Sequence, residues 1–136
     1  MKKECIFIDV FTEVPYAGNQ LAVFPDGEGI SDEQMQKLAQ EINYSETVFI
    51  FPGDEAEYDY EVRIFTVAAE LPFAGHPVLG AAYSIRNIFN TWPESQNILR
   101  LKTKAGFIPL EQKDTDIWMT QNEPRFFNRY EDKAEI

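Results

Sequence analysis

Three short stretches carry the side chains best able to do chemistry. The chain's single histidine, His76, lies in "ELPFAGHPVLGAAY" (Glu70 to Tyr83), between a glycine and a proline at what reads as a helix start. A helix start preceded by Gly-His offers unpaired backbone N–H groups and the positive end of the helix dipole, which together bind a carboxylate. An imidazole at that point can donate to the anion or shuttle a proton near neutral pH. The same residues suit a plainer role equally well. In that role Gly75 permits a tight turn, Pro77 opens the helix and His76 hydrogen-bonds the turn.

The second stretch is "NYSETVFI" (Asn43 to Ile50), where Ser45 and Glu46 stand between an amphipathic segment and an apolar run. A glutamate at the mouth of a strand is most often a solvated loop residue. Here Val48 and Phe49 flank it, and a carboxyl partly withdrawn from water suits general acid–base work without a cofactor. The third stretch, "YAGNQLAVF" (Tyr16 to Phe24), is a Gly-Asn turn leading into a strand. It reads as an ordinary turn or as one that places Asn19 on the wall of a cleft. The lone Cys5 reads as a small core residue, and "DEAEYDYE" (Asp54 to Glu61) as a solvated strand face without the spacing of a calcium loop. No phosphate-binding loop, dinucleotide fingerprint, zinc spacing or Gly-x-Ser-x-Gly elbow is present, so no cofactor and no metal are expected.

These residues need elements to hold them. Cys5 to Thr12, Leu21 to Phe24, Thr47 to Phe51 and Tyr58 to Phe65 read as strands, and "PDGEG" turns the chain between the second strand and a helix. Ser31 with Gln34 three residues on makes a capping box, and Met35, Leu38, Ala39 and Ile42 repeat at helical spacing. Pro77 reads as the first residue of a second helix, apolar around most of its circumference through Phe89 and therefore buried on nearly all sides. Ile98 to Lys104 and Phe107 to Gln112 read as a hairpin, followed by a strand over Ile117 to Gln121. The pattern predicts an α+β fold, a strongly curved mixed β-sheet wrapped in barrel fashion around a central apolar helix.

At 136 residues, 44% of them hydrophobic, the chain can bury one core, expected over 1–127, with a charged and frayed tail over 128–136. A net charge of −11 without a basic run argues against nucleic acid and anionic membranes as partners. The N-terminal apolar run is broken by Asp9 and Glu13, so neither a signal peptide nor a membrane helix is read there. With one cysteine in the chain, the reading is a cytoplasmic protein.

Taken together, "DVFTEVPYAGNQLAVF", "INYSETVFI" and "RIFTVAAELPFAGHPVLGAAY", followed by "LKTKAGFIPLE" and "WMTQNEPRF", resemble the N-terminal half of the phenazine-biosynthesis PhzF-like family, similar in fold to diaminopimelate epimerase. The resemblance covers most of Lys2 to Phe127, and it departs from many members at Thr66-Val67, where they have Thr-Pro. It implies two similar α/β halves with the active site in the cleft between them, and a cofactor-free isomerase that moves a proton on a small cyclic or amino-acid-like carboxylate. The best-known family substrate is trans-2,3-dihydro-3-hydroxyanthranilate. It also implies that Glu46 shuttles the proton and His76 orients the substrate, with Gly75, Ser45 and Asn19 binding it. Family members are considerably longer, so their second half lies outside this sequence. The expectation is a fragment, a split protein or a degenerate single domain, weakly active alone, paired with a missing half or with a second copy as a homodimer. The competing expectation is a non-catalytic binding or dimerisation module on the same fold.

Overall fold

The computed structural model describes residues 1–54 and 56–127. The tail expected to fray, 128–136, lies outside the described residues. Strands β1 (Ile6–Val10) and β2 (Asn19–Phe24) form an antiparallel pair in which Val10 sits opposite Asn19. Helix α1 (Asp32–Ile42) then carries the chain to β3 (Thr47–Pro52), which lies parallel to β2. Strand β4 (Tyr60–Phe65) returns antiparallel to β3, and a two-residue strand, β5 (Glu70–Leu71), pairs with its end. After helix α2 (Gly75–Tyr83) come β6 (Ile98–Thr103), parallel to β4, and the meander β7 (Gly106–Lys113) and β8 (Asp116–Met119). The result is one mixed sheet in the order β1-β2-β3-β4-β6-β7-β8.

Period-2 alternation decides which side chain faces which helix. Along β3, Val48 and Ile50 join the large core cluster that contains Val78, Ala81 and Ala82 of α2. Phe49 lies in a second cluster with Met35 and Ala39 of α1. Both faces of β3 are therefore buried, one against each helix. Strands at opposite ends of the sheet order, β1 and β8, both contact α2, so the sheet curls.

Helix α1 starts as its sequence predicts: the Ser31 hydroxyl accepts from the Gln34 N–H and the Gln34 side chain accepts from the Ser31 N–H. Helix α2 begins two residues before the expected proline, with Ala74 as N-cap. Pro77 is its third residue, which costs nothing because the first turn's N–H groups lack intrahelical partners in any case. The helix also ends earlier than its apolar run. A π-helical turn over Ser84–Ile88 follows, where Ser84 Oγ donates to the Gly80 carbonyl and the Phe89 N–H donates to the Ser84 carbonyl. The stretch read as a solvated face is exposed at Asp54, Ala56 and Glu57 as expected, with residue 55 outside the described residues, and departs from that expectation at Asp59. Asp59 accepts from the Arg100 backbone N–H at 2.7 Å and pairs with the Arg100 guanidinium, fastening β4 to β6.

One charged network ties α1, β4, β5 and the β6–β7 turn together. Arg63 grips Glu70 in a bidentate pair at 2.7 and 2.8 Å and reaches Asp32 at 2.7 Å, while Lys104 meets Glu70 at 2.7 Å. The Arg63 guanidinium, helped by Lys104, holds the Glu70 carboxyl below the usual glutamate range. A carboxyl depressed in the folded state stabilises the fold above its unfolded pKa and loses that contribution as pH falls through the lower folded value. Glu70→Gln is therefore expected to lower unfolding free energy by about 1–2 kcal/mol at pH 7, with the deficit starting to shrink on acidification below about pH 4 and disappearing only below the lower folded value. Urea denaturation of both proteins across that range checks it. A deficit that does not change with pH contradicts the assignment.

Candidate active site

Phase along β3 explains how Glu46 enters the site. It immediately precedes the strand and is in phase with Val48 and Ile50, the residues that face α2. His76 is the second residue of α2. Glu46 Oε2 and His76 Nδ1 consequently meet at 2.9 Å, across 30 residues of sequence. Both side chains are largely withdrawn from water, 19% exposed for Glu46 and 11% for His76. The other ring nitrogen, Nε2, lies 3.2 Å from the main-chain oxygen of Asn19, the first residue of β2. The Phe11 ring stands beside the imidazole with centroids 5.9 Å apart.

The partners dictate where the protons are. A main-chain carbonyl only accepts, so Nε2 must carry a hydrogen. Two bare lone pairs cannot face each other at 2.9 Å, so one further proton lies between Nδ1 and Oε2. It sits either on an imidazolium facing a carboxylate or on a carboxyl donating to a neutral ring. In both forms one proton is shared along the contact between Nδ1 and Oε2.

The start of α2, which carries His76, leaves backbone donors without partners inside the helix. Its N-cap, Ala74, makes no side-chain capping bond, unlike Ser31 of α1. The first hydrogen bond back to it comes from the Val78 N–H at 3.3 Å, which leaves the N–H groups of Gly75 and His76 without intrahelical acceptors at the positive end of the dipole. Gly75 is half-buried, with Met119 of β8 the nearest side chain to the space a Cβ would take, at 3.4 Å.

The expected site residues divide into two groups. Glu46, His76 and the backbone of Asn19 are in direct contact. Ser45 and Asn19 line an open cavity of about 480 Å³ together with Asp9, Gln20, Asn43 and Tyr44. The position of His76 also refines its expected role, because both ring nitrogens are already engaged by Glu46 and Asn19. Two neighbours were not visible in the sequence. Phe11 and Asp9 fall in a stretch whose β-branched and aromatic composition reads as strand through Thr12, whereas β1 stops at Val10. Among the described residues no group of three or more His, Cys, Asp or Glu could hold a metal ion, and no helix is long and apolar enough to cross a membrane. The Cys5 thiol is pushed up to about 11 by burial.

Comparison with known proteins agrees with this architecture. The profile of the phenazine biosynthesis-like protein family matches residues 8–135. An uncharacterized isomerase of Pasteurella multocida is 45% identical over 103 residues, which is 76% of this chain and 34% of that protein. The trans-2,3-dihydro-3-hydroxyanthranilate isomerase of Pseudomonas aeruginosa is 40% identical over 80% of this chain and 38% of its own length. The chain thus spans well under half the length of these relatives. Among solved structures, a Bacillus anthracis PhzF-family protein superposes with a TM-score of 0.73 at 28% identity, over 88% of this chain and 40% of that one. A hydroxyproline epimerase from Agrobacterium vitis, with a TM-score of 0.53 at 12% identity, shares the fold.

Proposed function

This chain belongs to the phenazine biosynthesis-like (PhzC-PhzF) family, and on that premise we propose that it is the N-terminal half of a cofactor-independent isomerase. In this reading α2 is the central helix of a half-barrel. The site opens toward a second half, supplied by further chain or by a second copy. The substrate is a small cyclic or amino-acid-like carboxylate. The observation that carries the reading is the 2.9 Å contact between Glu46 and His76, with the uncapped start of α2 beside it.

The proposed steps balance without a further reactant. The carboxylate docks on the N–H groups of Gly75 and His76, where the helix dipole favours negative charge. Glu46 Oε1, in its ionised form, takes a proton from a carbon next to an unsaturated group, and the C–H electron pair stays in the conjugated system. The proton on Glu46 exchanges with solvent, and Glu46 then delivers a proton to another carbon of the same molecule, so substrate and product are isomers. His76 holds Glu46 in place and supplies or retains the second proton as charge shifts. Asn19 is assigned to the polar wall that orients the substrate's remaining groups, whereas Ser45 lines a cavity whose lining includes neither Glu46 nor His76 and is given no part in the step. Such chemistry needs water excluded, which one open wall does poorly, so the chain alone is expected to turn over slowly.

Support for an enzyme over a binding module comes from the relatives, whose names are those of isomerases. The exposed apolar side chains Val14, Tyr16, Tyr83 and Trp118 are assigned to the contact with the second half. The test is incubation in deuterium oxide of the protein together with its second half and trans-2,3-dihydro-3-hydroxyanthranilate, followed by mass spectrometry. Isomerised product carrying deuterium at carbon is expected. Neither isomerisation nor deuterium uptake with this or any related cyclic or amino-acid-like carboxylate defeats the reading.

A further inference from the structure

We infer that Phe11 is a positioning residue, and that the β1–β2 connection from Phe11 to Asn19 is a frame fixing both the tautomer and the ring plane of His76. The two ends of this connection touch the same imidazole. Phe11, at its start, lies beside the ring, and the Asn19 carbonyl, at its finish, accepts from Nε2–H. Everything between is built to hold those ends still. Phe11 and Tyr16 both adopt left-handed backbone conformations, with φ of 64° and 68°, which side chains with a Cβ avoid. Strain of that kind persists only where the surroundings over-determine it.

Here the surroundings do so through specific contacts. Asp9 Oδ2 accepts from the Tyr16 N–H at 2.8 Å, tying the middle of the connection back to β1. Thr12 Oγ1 accepts from the Val14 N–H at 3.0 Å, and the Ala17 N–H donates to the Val14 carbonyl at 3.3 Å. Gly18 lets the chain close over the end of β1, since a Cβ there would run into the Val10 carbonyl oxygen. Phe11 itself is 65% exposed, so its own burial does not explain a large apolar ring in a strained backbone. What the ring does touch is the imidazole.

The consequence is chemical. An imidazole free to turn or to change tautomer would present Nε2 without its proton part of the time and would break the Nδ1 contact to Glu46. With Nε2–H committed to Asn19, the mobile proton is confined to the Nδ1–Oε2 line. Phe11 and Asp9 act on the reaction only through His76.

This inference rests on reading Glu46 and His76 as the proton pair, yet the two can fail separately. Deuterium uptake into substrate tests the pair, whereas imidazole signals test the frame. The chain's only histidine makes the second measurement unambiguous. In the 136-residue chain with isotope-labelled histidine, nuclear magnetic resonance near neutral pH is expected to show a protonated, pyrrole-type Nε2 with a slowly exchanging hydrogen. Phe11→Ala and Asp9→Ala are each expected to speed that exchange about tenfold and to introduce the Nδ1–H tautomer. Phe11→Tyr, which keeps the flat ring, is expected to match the unsubstituted chain. Core amide signals report folding, and Phe11→Leu replaces Phe11→Ala if the latter does not fold. An unprotonated Nε2 in the unsubstituted chain overturns the inference. So do folded Phe11 and Asp9 variants with unchanged tautomer and exchange.

Discussion

Replacing Glu46 with glutamine is expected to slow deuterium exchange into the substrate by about a thousandfold while changing its binding by no more than about threefold. Glutamine has nearly the same shape and can still hydrogen-bond His76 Nδ1, so the site keeps its geometry. What it loses is the capacity to accept a proton and return it. The groups assigned to hold the carboxylate, the N–H donors at the start of α2, do not depend on residue 46. Exchange rates by mass spectrometry and affinity by calorimetry, both on the protein with its second half, separate the two effects. An equal loss of binding and exchange would make Glu46 a substrate anchor. Unimpaired exchange would remove it from the chemistry.

The second large effect concerns stability. Helix α2 packs tightly against the sheet at Gly80, which is buried. A Cβ at that point would collide with the Leu21 side chain and stand 3.0 Å from Val10 Cγ2 and 3.3 Å from Ile8 Cδ1. Leu21 is fully buried and cannot swing away. Gly80→Val is therefore expected to cost about 3 kcal/mol, at the upper end of overpacking. Gly80→Ala is expected to cost less, because better helix propensity returns about 1 kcal/mol. Urea denaturation at neutral pH measures both. A valine variant as stable as the parent would mean that α2 does not lie this close to β1 and β2. The same contact sets the site, since pushing α2 outward moves His76 away from Glu46 and Asn19.

Much of this arrangement is legible from residue types. The Ser31–Gln34 capping box fixes the start of α1, and the apolar run after Val78 marks a helix, although the expected burial on nearly all sides through Phe89 does not hold, because Tyr83 and Ile88 are exposed. The beginning of α2 is not legible, because a proline is harmless anywhere in the first turn and so marks that turn without numbering it. Strand β5 has two residues, too few to show any period, and pairs with the end of β4, to which the Arg63–Glu70 pair also binds it. Asp59 illustrates a different limit. An acidic residue in an alternating run reads as solvated until a partner such as Arg100, 41 residues away, comes into contact with it.

The site was legible as three separate suspects. Glu46, His76 and Asn19 stand out by type and by the turns around them, but their meeting depends on sheet register. β2 and β3 run parallel, with Ala22 opposite Thr47, which brings Asn19 and Glu46 to the same end of the sheet. Helix α2 starts at that end. No local pattern encodes the register. Nor does any local pattern reveal that Phe11 has a positive φ, since its neighbours all favour strand.

The central claim is that Glu46 and His76 work on one shared proton. The most direct test is the deuterium exchange rate of Glu46→Gln, His76→Asn and the double variant, measured on the protein with its second half. If the two residues act as one unit, the double variant exchanges at a rate within about threefold of Glu46→Gln alone. Two losses that multiply in the double variant would show independent roles and contradict the shared proton.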